Sequence, residues 1–73
     1  MLIEITSLDN GNLDVYLAYN EPQKLFEPRP YCRIDESDLC DLLTDSQIEK
    51  LVTGVIHFRI NKQQLFEKAN KIY

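Results

Sequence analysis

The sequence predicts an α+β domain in which a small, mainly antiparallel sheet carries helices on one face. Apolar and polar residues alternate with period two in 1–19 and 55–60, which indicates strands. Apolar residues recur at helical spacing in 35–52 and 61–73. A length of 73 residues allows one domain, 1–73, with a thin core.

The first nineteen residues predict a β-hairpin whose turn can be chosen from the alternation. A two-residue turn at 10–11 would place the apolar residues of the two strands on opposite faces. A three-residue loop at 9–11 pairs Ile5 with Val15 and makes one face apolar throughout. This loop requires Gly11 in the left-handed region, as in a G1 bulge. We therefore predict the three-residue loop.

The segment 20–34 contains all three prolines and predicts an extended connection followed by a short strand. Proline fixes its own φ and restricts the residue before it, so 27–30 should be extended. We expect Leu25 and Phe26 to pack on the domain and 31–34 to form the short strand.

Capping signals mark the ends of three helices in the second half of the chain, with a single bent helix as the alternative to the first two. The first helix has Asp35 or Ser37 as its cap, the second has the capping box 44–47, and the third has Asn61. Gly54 suits the C′ position after the second helix, where a positive φ costs little in glycine. The apolar faces are Leu39, Leu42 and Leu43, then Ile48, Leu51 and Val52, then Leu65, Phe66, Ala69, Ile72 and Tyr73.

A late strand at 55–60 separates the second and third helices. Ile56, Phe58 and Ile60 share its apolar face, and His57 lies on the other face. The alternation does not indicate which edge of the hairpin this strand joins.

The composition lacks the motifs of common catalytic and cofactor sites. His57 is the single histidine, whereas a catalytic triad needs a nucleophile, a base and an orienting acid that converge. Two glycines cannot build a phosphate-binding loop. Cys32 and Cys40 are too few for a disulfide scaffold, and a structural zinc would need two further soft ligands. We expect no enzyme activity, no cofactor and no metal site.

The sequence also predicts a location. No apolar run approaches the roughly twenty residues that cross a bilayer. The first residues include an acid at Glu4 and lack the basic region of a signal peptide. We expect a cytoplasmic protein with reduced thiols and no membrane partner.

The charge distribution is the most unusual feature of the chain. The formal charge is −4, yet residues 1–49 hold eleven acids and three bases, and residues 50–73 hold five bases and one acid. Residues 35–49 contain six acids and no base. Acids in the first turn of a helix are stabilised by the helix dipole. This alone could account for the acids of 35–49, without a role in binding a partner.

The main hypothesis is a non-enzymatic protein-binding module: a small regulator, inhibitor or accessory subunit, of a size that mobile elements often encode. It would act by occupying the surface of a protein partner. The expected partner-binding residues are Asp35, Glu36, Asp38, Asp41, Asp45, Glu49 and Tyr16.

Two alternatives belong to other classes. A nucleic-acid-binding protein would use the basic C-terminal part of the chain, although a pI of 4.7 argues against this class. A self-associating structural subunit, such as a homodimer, would use exposed strand edges. The expected nucleic-acid-binding residues are Arg59, Lys62, Lys68 and Lys71.

Overall fold

The computed structural model describes residues 1–8 and 10–69, and these residues form an antiparallel sheet of five strands with three helices. This confirms the predicted α+β class. In chain order the elements are β1 (Leu2–Ser7), β2 (Asn12–Asn20), β3 (Leu25–Phe26), β4 (Cys32–Asp35), α1 (Glu36–Leu42), α2 (Asp45–Val52), β5 (His57–Arg59) and α3 (Lys62–Lys68). Within the described ranges, none of the helices has the length and apolarity to cross a membrane.

The β1–β2 hairpin has the predicted register. Ile5 lies opposite Val15, and the Leu8 N–H donates to the Asn12 carbonyl at 2.8 Å, which closes the hairpin. Gly11 has φ +79°, as the three-residue loop requires. The apolar residues of both strands therefore share one face.

One edge of the sheet is formed by β5, the late strand. The other edge is formed by β3 and β4, which follow the hairpin along the chain. β5 pairs with β1, which settles the pairing that the alternation left open. β3 and β4 both pair with β2, one after the other. Between them the Glu27 N–H donates to Leu17 at 2.9 Å and the Tyr31 N–H donates to Val15 at 2.7 Å. Residues 28–30 bulge out there, where two prolines need not donate to the sheet.

Local hydrogen bonds begin the helices. Asp35 occupies the predicted cap position of α1, but its side chain accepts no capping bond. At the start of α2 the capping box is complete, since the Gln47 N–H donates to Thr44 Oγ1 at 3.2 Å and the Thr44 N–H donates to Gln47 Oε1 at 2.9 Å. Asn61 Oδ1 accepts from two N–H groups in the first turn of α3. The predicted second and third caps are confirmed.

A Schellman motif ends α2 and turns the chain toward β5. The Gly54 N–H donates to the Leu51 carbonyl at 3.1 Å, and the Val55 N–H donates to the Lys50 carbonyl at 3.0 Å. Gly54 has φ +100°, which confirms it as the C′ residue.

The core lies between one face of the sheet and the helices. Every strand except β3 contributes buried apolar side chains to it, and α1 and α3 cover them. The helices therefore pack on one face, as predicted. The buried members are Ile3, Ile5, Leu13, Val15, Cys32, Ile34, Leu39, Leu43, Phe58, Ile60 and Leu65.

Three predictions near the α2–β5 connection were wrong. The late strand begins at His57, not at residue 55, because the Val55 N–H is used by the Schellman motif instead of a strand ladder. Val52 was placed on the apolar side of α2, but it is the last helical residue and projects beyond the core, where it is exposed. Ile56 is exposed as well, although its carbonyl accepts from the Ile5 N–H.

The predictions that other apolar residues pack on the domain are confirmed only in part. Phe26 does pack on the domain, with its ring stacked on that of His57 at 5.0 Å, whereas the neighbouring Leu25 is exposed beside a tight turn. Phe66 in α3 is partly exposed, although its ring meets Tyr31 edge-on at 5.4 Å. The predicted apolar residues 72–73 lie outside the described residues.

Candidate functional site

The acids predicted to bind a partner lie at the end of β4 and on the two helices that follow it. Asp35 immediately precedes α1, three more acids lie in α1, and two lie in α2. Asp38 is half-buried and the other five are exposed. We call this set the acidic helix surface: Asp35, Glu36, Asp38, Asp41, Asp45 and Glu49.

Glu4 in β1, Asp14 in β2 and Glu21 just after β2 have a different environment. Each of them has a basic partner from another part of the chain. The pairs are Glu4 Oε2 to His57 Nε2 at 2.9 Å, Asp14 Oδ1 to Arg33 Nε at 3.3 Å and Glu21 Oε2 to Arg59 Nη1 at 3.1 Å. The carboxylates of Asp14 and Glu21 are therefore compensated by arginines of the chain, and Glu4 is hydrogen-bonded to His57.

The charge of the acidic helix surface is largely uncompensated. Asp41 Oδ2 lies 3.3 Å from Lys68 Nζ. For the other five acids, residues 1–8 and 10–69 provide no basic nitrogen within 4.0 Å. Helix dipoles favour Glu36, Asp38 and Asp45, which lie in first turns, but they do not account for Glu49 in the middle of α2. Glu49 also lies four residues after Asp45, a spacing at which like charges repel.

Tyr16 does not join the acidic helix surface. It lies opposite Glu4 in the hairpin and alternates with Val15, which is buried on the helix-covered face. Its half-buried side chain is therefore on the other face of the sheet, near the Glu4–His57 pair.

Glu21, just after β2, forms hydrogen bonds with residues of β1 and β5. The Leu2 N–H donates to Glu21 Oε1 at 2.9 Å, and Arg59 contacts Oε2. The hydrogen bond from the Leu2 backbone, followed by that from Arg59, holds the pKa of the Glu21 carboxyl below its ordinary value of 4.5.

The lowered pKa predicts a pH-dependent contribution to stability. A carboxyl with a lower pKa in the folded state stabilises the fold fully above its unfolded pKa, and this contribution is lost as the pH falls through the folded pKa. We therefore expect Glu21→Gln to be less stable than wild type above about pH 5.5, with the difference shrinking below pH 4.5. Urea denaturation between pH 3 and 7 measures it.

A matched control for this experiment is Glu67→Gln, because Glu67 is an exposed carboxyl on α3. Its free energy of unfolding should follow that of wild type across the range. A Glu21→Gln difference that is independent of pH would contradict the role assigned to the ionised carboxylate.

The bases proposed for the nucleic-acid alternative are largely engaged within the chain. Arg59 pairs with Glu21, and Lys68 pairs with Asp41. Lys62 Nζ lies 5.5 Å from the centre of the Phe66 ring, in a cation–π arrangement. Lys71 lies outside the described residues.

Sequence reasoning missed an exposed apolar feature beside the acidic helix surface. Val52, Val55 and Ile56 are exposed by 82, 39 and 46%, and we call these three residues the α2–β5 corner. Gly54 was a sequence signal for this feature. The N–H of the residue after a C′ glycine bonds to the end of the helix, so that the next strand begins further along the chain.

A shallow cavity of about 350 Å³ lies at the bulge between β3 and β4. It is lined by Leu17, Tyr31, Pro30 and the exposed Glu27 and Arg29. In the part of the chain that the structure describes, no three His, Cys, Asp or Glu side chains are placed to hold a metal ion.

Comparison with known proteins finds no matching family model, no matching curated protein and no matching solved structure.

Proposed function

We propose that this chain is a non-enzymatic protein-binding module that covers a basic surface of a protein partner with its acidic helix surface. It would serve as a small regulator, inhibitor or accessory subunit. The observation that supports this function is a contrast in pairing: Glu4, Asp14 and Glu21 are bonded to basic residues of the chain, whereas Asp35 and four acids of α1 and α2 have no basic partner among residues 1–8 and 10–69. Unpaired surface charge is available to a partner and speeds its association.

A protein is favoured over a nucleic acid as the partner. A phosphate backbone is bound by several free Lys and Arg side chains, because affinity comes from the counterions they release. Arg59 and Lys68 are already paired with carboxylates, and the chain carries a net charge of −4. We also propose a cytoplasmic setting, because two cysteines are too few for the disulfide scaffold of small secreted domains.

The test removes charge from the acidic helix surface without changing side-chain shape. The tagged chain is used to capture proteins from its native lysate, with nuclease and at moderate salt. We expect Asp45→Asn/Glu49→Gln to weaken binding of the captured protein about tenfold, since each exposed ion pair contributes about 0.5–1 kcal/mol. The affinity is then measured with the purified partner, and circular dichroism checks the fold.

A control variant removes the same amount of charge elsewhere. Glu27→Gln/Glu67→Gln changes two exposed carboxylates that lie in neither α1 nor α2, and it should bind like wild type. Equal losses of affinity in both variants would mean that binding depends on the net charge of the chain and not on the positions of Asp45 and Glu49. A captured species that disappears with nuclease would favour the nucleic-acid alternative instead.

A further inference from the structure

The α2–β5 corner presents aliphatic side chains to solvent on a small domain. Val52 is almost fully exposed, and Val55 and Ile56 are exposed by more than a third. They lie within five residues of the chain, whereas the apolar side chains of the core are buried. Clustered exposed apolar residues often mark an interaction site.

Backbone hydrogen bonds hold the corner in place at both ends. The Schellman bonds from Gly54 and Val55 fix its helical end. At its strand end the Ile5 N–H donates to the Ile56 carbonyl at 3.0 Å, which joins it to β1. The exposure therefore comes from a defined backbone conformation, and a defined surface loses little entropy when it binds.

Two acids that have no basic partner among residues 1–8 and 10–69, Asp45 and Glu49, lie on the same face of α2 as Val52. Val52 follows Glu49 by three residues and Asp45 by seven, so that these side chains form one row along the helix. Lys50, the only base in α2, precedes Val52 by two residues and projects from the opposite side. The row therefore combines negative charge with an apolar end.

We propose that this row and the α2–β5 corner bind a basic amphipathic segment of a partner protein. Apolar side chains of the segment would cover Val52 and Ile56, and its Lys or Arg side chains would pair with Asp45 and Glu49. The apolar contacts supply affinity, while the acids select against acidic segments. This inference rests on the proposed function and adds the site and the chemistry of the partner.

The experiment selects peptides from a random phage-displayed library on the wild-type chain and measures the enriched peptides by fluorescence anisotropy. We expect enriched peptides with net positive charge and several apolar residues. Their affinity should fall about tenfold in Val52→Ser/Ile56→Ser, because two aliphatic contacts are lost. Asp45→Asn/Glu49→Gln should weaken binding and flatten its salt dependence.

The matched control is Tyr19→Ser/Leu25→Ser, which removes two exposed apolar side chains at the β2–β3 turn. It should leave peptide affinity unchanged. Val52→Ser alone, at an 82% exposed position, repeats the test without risk to the fold, with a smaller loss expected. Thermal unfolding confirms that each variant is folded.

Several outcomes would overturn the inference. These are no enriched peptides, acidic or neutral peptides, and peptides whose affinity is insensitive to the Val52 and Ile56 variants. Sedimentation equilibrium tests one further outcome. If the wild-type chain is a dimer and Val52→Ser/Ile56→Ser is a monomer, the α2–β5 corner binds a second copy of the chain and not a partner segment. If the selection fails while capture from lysate still depends on Asp45 and Glu49, the proposed function stands and the corner is not its site.

Discussion

Replacing Leu39 with alanine is expected to lower the free energy of unfolding by about 3 kcal/mol. Leu39 is fully buried and joins α1 to the core on the sheet. Truncation removes its contacts and leaves a cavity that a small domain fills poorly. A core of this size rarely provides more than about 3–5 kcal/mol in total. The variant should therefore retain a free energy of unfolding of only about 0–2 kcal/mol.

Urea denaturation followed by circular dichroism measures this loss. Val52→Ala is the control, because the same kind of truncation at an 82% exposed position should change the free energy of unfolding by less than about 0.5 kcal/mol. A loss below about 1 kcal/mol in the Leu39 variant would mean that α1 is not anchored by this residue. The acids of α1 would then lack the fixed positions that the proposed function requires.

The register of the hairpin was predictable because one of its faces is apolar throughout and the other contains the polar residues. A slip of one residue would place Ile5 and Val15 on opposite faces of the sheet and expose one of them, so the apolar pattern selects one register. The same register implies that Tyr16 points away from the helices, since it alternates with Val15 and the helices cover the apolar face. The separation of Tyr16 from the acidic helix surface thus follows from the alternation.

The helix ends were predictable for a local reason. The capping box of Thr44 and Gln47 uses residues three apart, and Gly54 supplies a conformation that other residues adopt at a cost. These signals do not depend on the rest of the fold. The side-chain cap expected from Asp35 is absent, although Asp35 does precede the helix.

The pairing of charges was not predictable, and the candidate site depends on it. Glu4 and His57 are 53 residues apart and meet only because β5 joins β1. The alternation does not specify that edge, so the sequence cannot show which acids are compensated. The exposure of Val52 and Ile56 has a similar origin, because it depends on where α2 ends relative to the core.

Replacing Gly54 with alanine is expected to lower the free energy of unfolding by about 1–2 kcal/mol. Gly54 has φ +100°, and a Cβ added there would meet nothing within 4 Å. The loss would therefore come from the backbone conformation and not from a clash. Gly54→Asn should lose less, since asparagine tolerates positive φ better than alanine. Ser46→Ala, at an exposed position in the same helix, is the control and should change little.

The Gly54 variants also test whether the corner must be preformed to bind. The Schellman motif fixes the backbone that connects Val52 to Val55 and Ile56, so a strained backbone at Gly54 should change how these three exposed residues are arranged. We expect the selected basic peptides to bind Gly54→Ala more weakly than Gly54→Asn, at a temperature where both variants remain folded. Equal affinities, together with the expected loss of stability, would show that the peptides recognise the side chains and not the arrangement that the helix end imposes. Weaker binding that follows the backbone strain would make the end of α2 both a structural cap and part of the binding surface.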